Sequence, residues 1–208
     1  MSDSVLFQSA QIGSLKLPNR FIRSATWEGL AAPDGGCTEE LIRLMEGLAE
    51  GGVGLIISSH AFVRPEGVAV RGQLGIHRDD LIAGLARMAD AVHGKGGRIV
   101  LQLAHGGLLA GTQLTGQPAL APSLTGGPEK TRRREMTEAD IADTIKAYGE
   151  AALRAKKAGF DGVQIHAAHG YLLNQFLSPW FNRRSDRWGG TIENRTRIVL
   201  DILASARN

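Results

Sequence analysis

Cysteine is nearly absent from this chain. Cys37 stands alone among 208 residues, which excludes an internal disulfide framework and suits a reducing compartment. Excess charge of one sign is lacking too: 24 basic side chains against 21 acidic ones leave a formal charge of +3. That balance argues for neither nucleic acid nor a membrane surface as a partner, although it suits an anionic cofactor. No apolar run approaches the length of a membrane span. The opening MSDSVLFQSAQIG lacks the basic start and apolar core of a secretory signal. These absences make the cytoplasm the expected location. Low-complexity segments and domain boundaries are also missing, so residues 1–208 read as one domain. With 43% hydrophobic and 22% charged residues, such a chain can bury a sizeable core.

What is present is a rhythm. Leu6 to Pro18 alternate and turn at Ile12-Gly13-Ser14, predicting a small hairpin held by Phe7, Ile12, Leu15 and Leu17. Phe21–Ala25 reads as a first buried strand. Thr38 is placed to cap a helix over Glu39–Glu50, with Leu41, Leu44, Met45 and Leu48 on one face. After Gly51-Gly52, Val53–Ser58 is apolar on both faces, as in a parallel strand covered on both sides. A helix near Asp79–Lys95 carries Leu81, Leu85, Met88 and Val92 at helical spacing, and Arg98–Leu103 follows as a third strand. Ala104–Met136 is rich in Gly, Pro, Ser and Thr and reads as a long lid or binding loop. Within it, Arg132-Arg133-Arg134 reads as a solvated basic turn. Thr137 with Asp140 resembles a capping box that opens a helix to Ala158. Gly162–Ile165 is a fourth strand, and a last helix starts near Thr191-Ile192-Glu193. Strand and helix alternate four times, the pattern of an α/β fold with a parallel sheet.

The chain is organised around Phe160 to Arg195. There a short apolar strand ends at His166, and His169 and Tyr171 follow at once. Three groups able to carry or share protons therefore crowd the carboxyl end of one strand, where α/β folds place their chemistry. His60, His105, His166 and His169 come from three strand ends, but no carboxylate accompanies them in a ligand pattern, so no metal is expected.

The run IHAAHGYLLNQFLSPWFNRRSDRWGGTIENR resembles the old yellow enzyme family of flavin-dependent ene-reductases. PNRFIRSAT at the first strand, VGLIISS at the second and LQLAHGG at the third match the same family in order. The resemblance implies a TIM (β/α)8 barrel with FMN at the carboxyl ends of its strands, and NADH or NADPH as reductant. The chain would supply the amino-terminal hairpin and about four βα units, a half barrel. The family's phosphate-holding loops after the seventh and eighth strands, and its flavin-contacting arginine on the fifth, have no counterpart here. An alternative expectation is therefore a truncated half barrel, inactive alone, that hides its edges by oligomerising or by pairing with a missing carboxy-terminal half.

The resemblance also assigns residues. His166 and His169 look like the pair that holds the substrate's carbonyl or nitro oxygen, and Tyr171 like the proton donor to the α-carbon. Gln102 resembles the reader of the flavin pyrimidine edge. Ser24, Ala25 and Thr26 occupy the place where the first strand touches the flavin, with Thr26 on the O4/N5 side. His60 stands beside the flavin where many relatives have a small residue, and Trp27 is placed as a pocket wall. His105 reads as structural. Arg183, Asp186, Arg187 and Arg195 read as an ion-paired scaffold, while Asn174, Gln175 and Ser178 lock the loop backbone. The implied activity is reduction of an activated C=C bond in an enone, enal, nitroalkene or enoyl thioester, a small-molecule substrate.

Overall fold

The computed structural model describes residues 4–125 and 132–207. It opens with a hairpin: β1 (Ala10–Ile12) and β2 (Leu15–Leu17) pair antiparallel across Gly13-Ser14. Gly13 has φ +59°, a left-handed value that glycine adopts without steric cost in so tight a turn. Of the residues expected to hold this hairpin only Leu17 is buried; Phe7 and Ile12 are 63% and 53% exposed. Phe7 packs edge-on against Phe21, at 5.3 Å, instead of entering a core.

Four parallel strands follow, in the order β3 (Ile22–Arg23), β4 (Leu55–Phe62), β5 (Ile99–Ala104) and, last in space, the strand after the fourth helix, Gly162–Ile165. The first is shorter than the predicted Phe21–Ala25, because only Ile22 and Arg23 find partners on β4. The second runs past the predicted end at Ser58. A bulge between Ile57 and His60 lets β4 absorb Ser58-Ser59 and rejoin β5 at His60.

Among the described residues six helices follow in chain order, α1 (Glu39–Glu50), α2 (Ile82–Gly94), α3 (Thr112–Thr115), α4 (Glu138–Lys157), α5 (Leu172–Leu177) and α6 (Ile192–Arg207). Of these α1, α2 and α4 pack on the sheet, whereas short α3 and α5 sit among the loops that follow the strands. The long helices α1, α2, α4 and α6 pack in a row, each on the next. Their starts are written in the sequence. The Thr38 hydroxyl accepts from the Leu41 N–H, and Thr137 with Asp140 forms a reciprocal capping box. The buried face of α1 is rotated from the expected one: Ile42 and Ala49 enter the core while Leu44 is 38% exposed.

The segment Ala104–Met136 is not a bare loop. Among the described residues it holds a 3-10 turn (Gly107–Leu109), α3, and the short strands β6 (Ala119–Ala121) and β7 (Arg133–Glu135), paired parallel. Residues 126–131 of that expected loop lie outside the described residues. The basic run Arg132–Arg134 is mostly strand rather than turn, and Arg134 forks onto Asp140 at 2.6 and 2.9 Å. The strand Gly162–Ile165, now β8, has the predicted bounds.

The two faces of the main sheet differ. Ile56, Ile99, Leu101 and Leu103 point into the helical layer and are fully buried. On the other face Val100 and Gln102 are half-buried and Gln164 is exposed. The expected cover on both faces is thus present on one. The register aligns His60, Gln102 and Gln164 across that open face, toward the carboxyl ends of the strands.

Candidate active site

Alternation along β8 puts Gly162, Gln164 and then His166 on the open face. The chain leaves the strand at His166, whose backbone N–H still bonds the Leu103 carbonyl. It then reverses through His169, a non-glycine residue held at φ +55°. Such a conformation costs on the order of 1 kcal/mol and persists only where the surroundings fix it. Here the turn brings the His169 ring edge-on to His166, 5.2 Å between centroids. Tyr171 ends the turn as the cap of α5 and stacks on His166 at 4.8 Å, with 17° between the planes.

Buried amides fix this loop. Gln175, wholly buried, accepts from the Leu108 N–H and donates to the Gly170 carbonyl, tying the loop after β5 to the loop after β8. Asn174 accepts from the Gly170 N–H, and Ser178 from the Trp180 N–H. Farther out the centre of the scaffold is Arg184, a residue the sequence reading passed over. It pairs with Asp186 at 2.5 Å and donates to the Pro122 and Met136 carbonyls. Of the four expected scaffold ions only Asp186 joins it. Arg195 donates to the Leu177 carbonyl, and Arg183 lies over the Trp180 ring, while Arg187 lies over Trp188 and pairs with Glu138 at 3.8 Å, as an exposed ion pair.

Ala25, Trp27, His60, Gln102, His166, His169 and Tyr171 line one hollow of about 200 Å³. Six of the eight residues singled out for catalysis or cofactor binding thus meet, from β4, β5 and the segments after β3 and β8. Ser24 and Thr26 do not join them. Both are exposed, and the Thr26 hydroxyl donates to the Ser24 carbonyl at 3.2 Å. A larger hollow of about 720 Å³ opens between the loops after β3 and β4 and contains none of these residues. Gln164, also missed, accepts from the Gln102 amide at 2.6 Å. The alternation of Gly162, Gln164 and His166 was the signal that placed it on this face.

Two of the histidines here, His60 and His166, are pushed toward their neutral form. Burial, then the charges of His166 and His169, push His60 down to about 4. Burial first, and His169 second, also lower His166. The His166 Nδ1 accepts from the Ala168 N–H at 3.2 Å, so the proton of the neutral ring sits on Nε2. Burial raises the Tyr171 phenol, which stays protonated. The hollow therefore presents an imidazole N–H and a phenol close together. His105 lies apart, wholly buried, with Nδ1 accepting from the Gly107 N–H. Among the described residues no group of three or more His, Cys, Asp or Glu is arranged to hold a metal ion.

Residues 5–208 match the model of the NADH:flavin oxidoreductase / NADH oxidase family. The chain belongs to that family. It is 44% identical to a metal reductase of Desulforamulus reducens, over 98% of this chain and 30% of that protein. It is 41% identical to an NADPH dehydrogenase of Halalkalibacterium halodurans, over 96% of this chain and 58% of that one. The solved Old Yellow Enzyme from Pichia sp. superposes with a TM-score of 0.93 at 32% identity, covering 98% of this chain and 56% of that one. The chain thus spans between about a third and three fifths of these relatives, matching their amino-terminal part. The fold is accordingly part of an old yellow enzyme TIM barrel, and the sheet does not close among the described residues.

Family membership implies FMN as cofactor and NADH or NADPH as reductant. The donor set fits the ring of such a flavin. The Gln102 amide faces the hollow, and its Oε1 accepts no hydrogen bond among the described residues. An amide offers both a donor and an acceptor to a ring edge that carries both. No lysine or arginine lines the hollow, so its walls hold no cationic anchor for the phosphate.

Proposed function

We propose that this chain builds the substrate-facing wall of an FMN-dependent NAD(P)H oxidoreductase that reduces activated C=C bonds. The observation that carries this reading is the convergence of His166, His169 and Tyr171 with Gln102 on one hollow at the strand tips. FMN, when bound, supplies the hydride. His166 and His169 hold the carbonyl or nitro oxygen of an enone, enal, nitroalkene or enoyl thioester. A neutral imidazole N–H stabilises negative charge as it develops on that oxygen, with no proton transfer needed. Tyr171 delivers a proton to the α-carbon. Gln102 and Ala25, with Ser24 and Thr26 beside it, form the flavin-facing wall.

A second reading has its own observation. Half-buried Val100 and exposed Gln164 leave the inner face of the sheet uncovered, and the edges at β3 and β8 are unpaired among the described residues. On this reading the 208-residue chain alone is inactive and needs a second half, or a second copy, to turn over.

The test joins this chain to the carboxy-terminal part of the H. halodurans NADPH dehydrogenase and compares it with the chain alone. The joined protein is expected to bind FMN and reduce an enone with NADPH; the isolated chain is expected to do neither well. In the joined protein His166→Ala should weaken binding of a phenol-type ligand, followed by its charge-transfer band, about tenfold or more. Flavin reduction by NADPH in stopped flow should change less. Equal losses in both would count against an oxygen-holding role.

A further inference from the structure

We propose that His60 is a positioning residue for Tyr171, its Nε2–H donating to the phenol oxygen so that the phenol hydrogen is left to face the hollow. This rests on reading Tyr171 as the proton donor. Three observations support it. The bulge in β4 carries the strand past Ser58-Ser59 and returns His60 to the open face, opposite Gln102. There its Nε2 lies 3.1 Å from the Tyr171 oxygen. No other hydrogen bond to that phenol occurs among the described residues.

The neighbours of the phenol narrow the roles. Its ring faces two imidazoles, His166 at 4.8 Å and His60 at 5.5 Å, and His169 stands behind His166. No carboxylate, lysine or arginine lines the hollow. His166 lies nearly parallel to the phenol, so its N–H groups, which lie in its own plane, are not aimed at the phenol oxygen. His60 is tilted by 57° and directs a ring nitrogen at that oxygen. Its backbone is held in turn: the buried Gln73 amide donates to the His60 carbonyl at 3.2 Å and accepts from the Ala69 N–H at 2.7 Å.

The direction of the bond decides whether Tyr171 can act. A phenol that donates to His60 has no hydrogen left for a substrate. With His60 as donor, the phenol O–H is free to point into the hollow. When it transfers, the O–H bond breaks and a C–H bond forms at the α-carbon. The phenolate that remains is met by the Nε2–H, which keeps its own proton, and solvent later returns a proton to the phenolate. Burial keeps the His60 ring neutral, so it has a single N–H to place. A small residue at this position leaves the phenol without such a partner.

Two measurements on this chain test the assignment, and neither needs flavin. Nitrogen–proton correlation spectra of labelled histidine read the tautomer of His60 directly. A protonated Nε2 is expected; an unprotonated, acceptor-type Nε2 overturns the proposal. Second, the ζ-carbon resonance of labelled tyrosine is followed against pH, with Tyr171 assigned by its loss in Tyr171→Phe. His60→Leu is expected to lower the acid dissociation constant of the phenol about tenfold, or to push its titration beyond alkaline unfolding. His60→Gln, which keeps an amide donor near the Nε2 position, should restore most of the difference, and His60→Met replaces His60→Leu if the latter fails to fold. An unchanged or increased dissociation constant in the apolar variants, or a phenol that titrates in neither protein, overturns it. Failure here leaves flavin binding and the role of His166 standing, whereas loss of flavin binding leaves this bond testable.

Discussion

At the scale of the residue, burial sets the chemistry. His60 and His105 sit in surroundings that push both down to about 4 from an ordinary value of 6.5. For His60 the cause is burial, then its histidine neighbours; for His105 it is burial, offset by Glu66. A base whose folded value is depressed binds fewer protons folded than unfolded, so its neutral form stabilises the fold above about pH 6.5. That contribution, up to roughly 3 kcal/mol for each, fades as the pH falls toward 4. Urea unfolding midpoints are therefore expected to drop between about pH 7 and about pH 4.5, and His60→Gln to lose less over that window than the parent chain. Equal losses would assign the acid sensitivity elsewhere. His166, His169 and Tyr171 were legible as a group because they lie within six residues of one strand end. The pairing of His60 with Tyr171 was not, because the two lie 111 residues apart in sequence and meet through a bulge just before His60. Thr26 shows the converse: its hydroxyl turns back to its own backbone.

At the scale of the element, the best-read parts carry their own signals. α1 and α4 begin at threonine caps, and β8 is a short apolar run preceded by Gly159. β6 and β7 were hidden because three-residue strands in a Gly- and Pro-rich segment have no periodicity to detect. β4 was read too short because Ser58-Ser59-His60 breaks the apolar pattern, although the strand keeps its ladder across the bulge. Gln175 joins two such elements, and Gly107 is what allows it. At φ +60°, a Cβ on Gly107 would lie 2.4 Å from the Gln175 Oε1. Gly107→Ala is therefore expected to cost about 2–4 kcal/mol, through backbone strain and a broken buried clip. Urea unfolding at neutral pH checks this, and a cost below about 0.5 kcal/mol would show that the two loops are not coupled there.

At the scale of the whole molecule, the sheet is one-sided. A parallel sheet is stable in water when both faces are covered, and here the helices cover one. Exposed Ile22 at 48%, and Leu200 and Leu203 on α6 at 59% and 39%, add apolar surface near its two ends. The isolated chain is thus expected to associate at micromolar concentration, with light scattering showing dimers or larger species. A compact monomer that unfolds cooperatively would contradict it. The half-barrel character was legible from counting strand–helix units; which face stays open emerged only from the burial of Ile99, Leu101 and Leu103 against the exposure of Gln164.

The chain also carries a built-in optical gauge. Of its three indoles, Trp188 is buried, Trp180 is 65% exposed away from the hollow, and Trp27 is 51% exposed on its wall. Any aromatic guest seated against His166 and Tyr171 must come close to Trp27. Its arrival should dim the red-shifted part of the emission and leave the blue component of Trp188 in place. Trp27→Phe should abolish that dimming without emptying the hollow; quenching that survives the substitution would locate the guest somewhere else.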